Sequence, residues 1–414
     1  MRLLISCVDG GSLKEAVCGV GTDSSVQNAL QPLKLESINS EGTGNCVEII
    51  HNLGDKFLLA RRNGNVELVH FEEEYELKDK ISDLLDDSRL EPFYAKSKSR
   101  VKLRDAFIML QPLRNGHFLV VTKSGLVHIL KLNQDDDKIV KLKTWEVKAP
   151  LDFAQLCDNW EDQKSGNYVF GYGGEENQIK LVEIDADFTN LKQIWEAKNV
   201  KNDKLDMRVP VWPTAMKFLQ PLKSDNVDKA SLNLQFVVIT HWSHLAHYST
   251  QRGRRPMVYK QLFDNREPLE KLEINDESTT SLGNIPTDKF QNFALMTTDT
   301  KKNVYKYDVS GRLLAKLGNG DISGAVSFVK KVEPGYILQG GLDRYARVFD
   351  ASTGERLVKI YAGGSINCMV VLDSDRLDPV QRERKEAKRK PVDDAEDAEK
   401  LWKQLGKNPK KAKK

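Results

Sequence analysis

The sequence predicts an all-β fold, a ring-shaped propeller of seven blades, followed by a basic tail that is largely disordered. Three observations predict it. Seven hairpin-like segments recur at spacings of about 40–65 residues, the periodicity of a repeat architecture with enlarged loops. One apolar strand is left over after the last hairpin, with no hairpin of its own. Beyond residue 373 apolar residues thin out and charge takes over.

In chain order, the hairpins are LLISCVDGGSLKEAV (3–17), LLARRNGNVELVHFE (58–72), VVTKSGLVHILKL (120–132) and GGEENQIKLVEID (173–185). VVITHWSHLAHYST (237–250), TTDTKKNVYKYD (297–308) and GGLDRYARVFD (340–350) complete the set. In each, an apolar run meets a turn carrying Gly, Asn, Asp or Ser, and a strand rich in Val, Ile, Leu, Phe or Tyr follows. The clearest copies end on an apolar residue and Asp, the pattern of a WD-repeat-type β-propeller, with Ile184, Tyr307 and Phe349 where Trp is common. The Gly-His of typical repeats is missing. The leftover strand, SINCMVVL (365–372), is predicted to be the inner strand of the blade begun by the N-terminus, because the first hairpin starts at residue 2. Pairing the N- and C-terminal strands removes the open sheet edges of an unclosed ring. Residues 1–373 therefore form the predicted propeller and residues 374–414 the tail.

The connections are uneven. Residues 78–104 hold a short amphipathic helix candidate, with Ile81, Leu84 and Leu85 on one side, followed by the polar KSKSR. Residues 198–213 are rich in charge and end in VPVWP, whose prolines leave no room for regular structure. In the tail, RERKEAKRK (382–390) precedes an acidic patch. Ala398, Leu401, Trp402 and Leu405 then recur at helical spacing up to Gly406, ahead of the basic KNPKKAKK.

Composition narrows the function classes. The chain has 414 residues, 40% hydrophobic and 30% charged, and no run approaches the roughly 18 apolar residues of a membrane helix. The apolar start MRLLIS is cut short by Asp9, so neither a secreted nor a membrane-spanning protein is expected. Five scattered cysteines without a CxxC pair argue for a reducing compartment and against a disulfide framework or zinc site. The net charge of +3 hides an asymmetry: from Asp375 onward there are 14 Lys and Arg against 9 Asp and Glu, which leaves 49 against 51 in the rest.

No catalytic constellation is visible. GxSxG, HExxH and the P-loop are absent, and GYGG (171–174) leads into a strand rather than a helix. In His241-x-x-His244-x-x-His247, strand alternation puts His244 on the opposite face from the other two, so three ligands cannot converge on a metal. No cofactor, metal or small-molecule substrate is expected. A propeller instead offers loops, and the hairpin turns and inter-blade connections share one face. Arg61, Arg62, Lys123, Lys301, Lys302 and Arg344 are expected there, beside Asp9, Glu175, Asp299 and Asp343. The mixed signs suit a protein-binding rim. Asp343 has a second reading, a hydrogen bond inside its own blade.

Several stretches carry a family resemblance: MRLLISCVDGGSLKE, SVQNALQP (25–32), TKSGLVHI (122–129), GGEENQIKLVEID, QIWEAKNVKNDKLDMRVPVWP (193–213) and GGLDRYARVFD. They resemble the WD-repeat ribosome-biogenesis family that includes fungal Nop seven-associated protein one and animal WD-repeat protein 74. The resemblance runs over nearly the whole chain. The loop at 197–213 is its most specific part, because a generic propeller has no need of it. The resemblance implies a seven-bladed propeller without enzymatic activity, located in the nucleus and nucleolus. It also implies association with pre-60S particles during large-subunit assembly and rRNA processing, and release by an AAA ATPase.

Lys204, Asp206, Arg208 and Trp212 of the specific loop, with Arg344 and Tyr345 of the last turn, are the expected partner contacts. Arg and Trp dominate interface energetics when desolvated; Trp212 equally reads as a plug between two blades. Arg382, Arg384, Lys385, Lys388, Arg389 and Lys390 form the expected nuclear-import cluster, with rRNA phosphates as a further contact. The alternative is an adaptor of another nuclear complex, a ubiquitin ligase or chromatin assembly, which rests on fold analogy alone.

Overall fold

A computed structural model describes residues 1–71, 74–94, 104–133, 135–157, 166–219, 234–275, 294–308, 310–333 and 335–373. Its strands form seven antiparallel sheets, each of four strands in meander order apart from the first and last. Blade two is typical. It runs Val47–Asn52, Lys56–Arg61, Val66–Phe71 and Tyr75–Ile81 from the inside outward. Blades three to six begin at Phe107, Phe153, Pro213 and Leu269. The innermost strand of each blade touches the innermost strand of both neighbours, and these contacts run around a complete circle.

The circle closes in blade one. Ile366–Asp373 lies innermost and pairs antiparallel with Arg2–Cys7, from Arg2 opposite Asp373 to Cys7 opposite Ile366. Ser12–Val17 and Lys34–Ser40 complete that sheet. Blade seven is built from Val326–Val332, Tyr336–Gly341, Tyr345–Asp350 and Arg356–Tyr361. It gains a fifth strand, Thr22–Asp23, parallel to Arg356–Tyr361. The segment that links two strands of blade one thus reaches across and straps the edge of blade seven. Arg356 reinforces the strap with an ion pair to Asp23 at 2.8 Å.

The sequence pattern explains the layers. Second and third strands are buried on both faces and read as continuous apolar runs, such as Phe57–Ala60 and Phe118–Val121. Outer strands face solvent and alternate toward charge, as in KIVKLKTWE. The apolar side chains gather in seven clusters, one at each seam between blades. Successive residues serve opposite seams: Leu3 and Ile5 pack toward blade seven, Leu4 toward blade two.

A bulge recurs near the start of the innermost strand in blades one, two, three, five and seven, at Asn367, Glu48, Ile108, Thr214 and Ser327. A bulge turns one side chain out of the ladder, and here the polar ones bond the next blade. Asn367 donates to Val47 O (2.9 Å), Thr214 to Leu269 O (2.7 Å) and Ser327 to Ile366 O, while Glu48 accepts from Phe107 N–H (3.0 Å).

Some expectations need correction. Asp299 is not presented on the rim: it is buried, and its carboxylate accepts from the N–H groups of Lys301, Lys302 and Asn303 in its own hairpin turn. Arg61 is not on the rim: it is fully buried, paired with Glu67 at 2.5 Å and Glu41 at 3.1 Å and bonded to the Tyr75 hydroxyl. Its place at the end of a strand, ahead of the turn, turns it inward. The amphipathic helix does not form either. Ile81 ends a strand, Leu84 is an isolated plug in the seam of blades two and three, and among the described residues of this segment only Asp87–Leu90 and Glu91–Tyr94 make short helical turns. Tertiary burial of Leu84 overrides the helical period. The KSKSR stretch, the basic cluster and the Trp402 segment lie outside the described residues.

Candidate interaction rim

Residues 197–212 connect the outer strand of blade four, Leu191–Glu196, to the inner strand of blade five, Pro213–Leu219. At its tip Asp203 organises a tight turn. Its carboxylate accepts from the N–H groups of Leu205 and Met207, both at 2.9 Å, and its own N–H donates to Met207 O. Asn202 then donates to Asp206 O (3.1 Å) and Oδ1 (2.9 Å). Asp206 sits at φ 59°, a left-handed conformation that Asp tolerates better than most residues. This fixed turn holds Leu205 and Met207 out in solvent, 77% and 57% exposed. Lys204 and Arg208 flank them, both exposed. Arg208 pairs with Glu176 at 2.8 Å, in the hairpin turn of blade four.

Trp212 anchors the base of the loop. Its indole N–H donates to Asp152 Oδ2 at 2.6 Å, and its ring stacks on His241 at 3.8 Å between centroids. Asp152 precedes the inner strand of blade four and His241 begins the turn of blade five, so Trp212 fills the seam between them. Lys123 lies 3.5 Å from the same carboxylate. Burial holds the His241 imidazole below its usual range, against the pull of Asp152. Burial also raises the Glu175 carboxyl, with Asp152 repulsion adding to it.

Arg344 and Tyr345 lie on the rim at the other side of the ring. Arg344 is in the hairpin turn of blade seven at φ 66°, with Asp9 of blade one 3.6 Å away. Tyr345 packs against Tyr361, with Lys359 4.7 Å from its ring centroid. Asp343 bonds within its own blade, accepting from Arg347 at 2.7 Å. The expected contact residues therefore fall into two groups rather than one patch, the loop group and the blade seven turn.

The exposed pair Leu205 and Met207, and the strap across blade seven, are absent from the expectations above. For the first, a signal existed: two apolar residues amid the charges of a loop that has no strand to bury them. Among the described residues no group of three or more His, Cys, Asp or Glu is placed to hold a metal ion.

A closed seven-bladed ring whose inter-blade loops project from it defines the class as a WD-repeat-type β-propeller. No family model matches the chain. The chain is 48% identical over 402 residues to ribosome biogenesis protein NSA1 of Vanderwaltozyma polyspora, covering 91% of this chain and 90% of that one. It is 45% identical over 451 residues to ribosome biogenesis protein NSA1 of Saccharomyces cerevisiae, covering 98% and 97%. Among solved structures it is similar to the crystal structure of Saccharomyces cerevisiae Sqt1, with a TM-score of 0.49, 12% identity and coverage of 88% and 82%. The chain belongs to the NSA1 family of ribosome biogenesis proteins, the fungal family named in the sequence analysis.

Proposed function

We propose that the chain is a non-catalytic scaffold of large-subunit assembly. Its propeller docks on nucleolar pre-60S particles while rRNA is processed, and an AAA ATPase later removes it. Family membership across nearly the full length supports the process; release by an ATPase rests on the resemblance alone.

One observation carries the docking role, the braced tip at residues 203–208. Holding Leu205 and Met207 exposed on a fixed backbone lowers the ordering cost of binding. Lys204, Asp206 and Arg208 are the partner contacts there, with Trp212 positioning the loop from the seam. Arg344 and Tyr345 form a second contact. The cluster Arg382, Arg384, Lys385, Lys388, Arg389 and Lys390 directs the protein to the nucleus.

Arg208→Glu tests this reading. Its only ion pair among the described residues is with exposed Glu176, so the fold is expected to survive. Co-sedimentation of the tagged full-length protein with pre-60S particles should weaken. Unchanged co-sedimentation would remove Arg208 from the interface, and absence of pre-ribosomal material with the parent protein would end the reading.

A further inference from the structure

Beside the docking tip lies a second set of charges that the proposal above leaves unused. The start of the 197–212 loop meets residues 250–257, which join His244–Ser249 to Val258–Gln261 in blade five. Three hydrogen bonds lock the two segments together. Lys198 N–H donates to Arg254 O at 2.7 Å, Arg254 Nε to Glu196 O at 2.6 Å and Arg255 Nε to Asn199 O at 3.0 Å. Arg254 also pairs with the Glu196 carboxylate at 3.2 Å. Lys198, Lys201, Arg252 and Arg255 lie on these two joined segments, all exposed. None of these four has a carboxylate partner among the described residues.

The contrast with their surroundings is informative. Arg254 is neutralised by Glu196 and Arg208 by Glu176. Asp203 and Asp206 accept from neutral N–H groups inside their own turn and keep their charge, with the exposed Lys204 between them to offset it in part. What remains is a ridge of four cations on a propeller that is otherwise close to neutral. A fixed cluster of like charges without counterions raises the local potential for an anion.

We infer that this ridge binds the phosphodiester backbone of RNA. The inference rests on the proposed docking role only for the choice of RNA as the polyanion. Arg255 spends Nε on Asn199 and keeps its two Nη groups, the fork that meets two phosphate oxygens. No large apolar residue is exposed at positions 198–201 or 252–255, so an acidic peptide would find no anchor there. A polyanion needs none, because counterion release drives its binding. The contact reads backbone and not sequence.

The test uses the purified full-length protein with the six tail cations Arg382, Arg384, Lys385, Lys388, Arg389 and Lys390 changed to Ala, which lowers the tail's contribution and leaves its remaining cations common to every variant compared. Binding of a labelled RNA duplex of about 20 base pairs is read by fluorescence anisotropy across a salt series. Adding Lys198→Glu, Lys201→Glu and Arg252→Glu leaves the Arg254 and Arg255 bonds in place. Affinity should fall by about tenfold or more at low salt, and the slope of log K against log salt should flatten by about 2 to 3. Unchanged affinity and slope overturn the inference. So does polyglutamate competing as well as RNA at equal charge, which would make the ridge a site for acidic protein. Should the triple variant unfold, Lys201→Glu alone is read, with a slope change of about 1 expected and no change overturning the inference. Because the readout is on purified protein, its failure is separate from any failure of the pre-60S reading.

Discussion

Arg347 is a fully buried cation in the last blade, and its partners account for it. Asp343 lies at 2.7 Å and Asp321 at 3.0 Å, and Gln339 Oε1 accepts at 3.0 Å. Asp321 also takes Arg356 at 2.8 Å and Lys359 at 2.6 Å. Burial alone would raise the Asp321 carboxyl; hydrogen bonds from Lys359 and Arg356, with the Arg347 charge, more than reverse this and hold it at about 2. Removing one partner of such a group leaves uncompensated buried charge. Arg347→Ala should therefore cost about 3–5 kcal/mol in urea unfolding, far more than loss of an exposed pair. A loss below about 1 kcal/mol would show that solvent reaches Asp343. Arg61 does the same work in blade two with Glu67 and Glu41. The sequence placed Arg61 among the rim charges and left Arg347 unremarked, because the acidic partners that draw each side chain inward are set by tertiary packing and not by local pattern.

At the scale of elements, a polar bulged residue of the inner strand joins one blade to the next in blades one, two, five and seven. Thr214 shows the point, because its hydroxyl donates to Leu269 O of blade six at 2.7 Å. Thr214→Val keeps the shape and removes the donor. It should lower stability by about 1 kcal/mol, with the denaturant slope unchanged, read by equilibrium unfolding. A closer restriction operates at Gly340, where a Cβ would lie 2.5 Å from Ile366 Cγ2 of the neighbouring blade. The hairpins were legible because turn chemistry and apolar runs are local properties. Bulges, the strap at Thr22–Asp23 and the fate of Leu84 were not, because each depends on a residue of another blade.

At the scale of the molecule, seven apolar seams share the burial, and the histidines go in with them. His51, His128, His244 and His247 are each lowered from 6.5 to about 4, and burial is the leading cause. In the folded chain they stay neutral, whereas the unfolded chain takes up protons below 6.5. Their contribution is therefore intact above pH 6.5 and is lost as pH falls from 6.5 toward 4. The urea midpoint should drop between about pH 7 and pH 5. A midpoint flat across that window would mean that these histidines are solvated in the folded protein.

The sequence by itself determined the hairpins, their number and the loops that carry the family likeness. Alternation of apolar side chains and turn residues is written within some fifteen residues at a time. It also marked the loop at residues 197–213 as unlike a generic propeller's. Only the tertiary structure decided that Trp212 lies in a seam, that Leu205 and Met207 stand out from it, and that Arg254 and Arg255 brace the loop from the next blade. Those outcomes depend on what packs across the boundary between blades, where the partners are many residues apart and no local pattern records them.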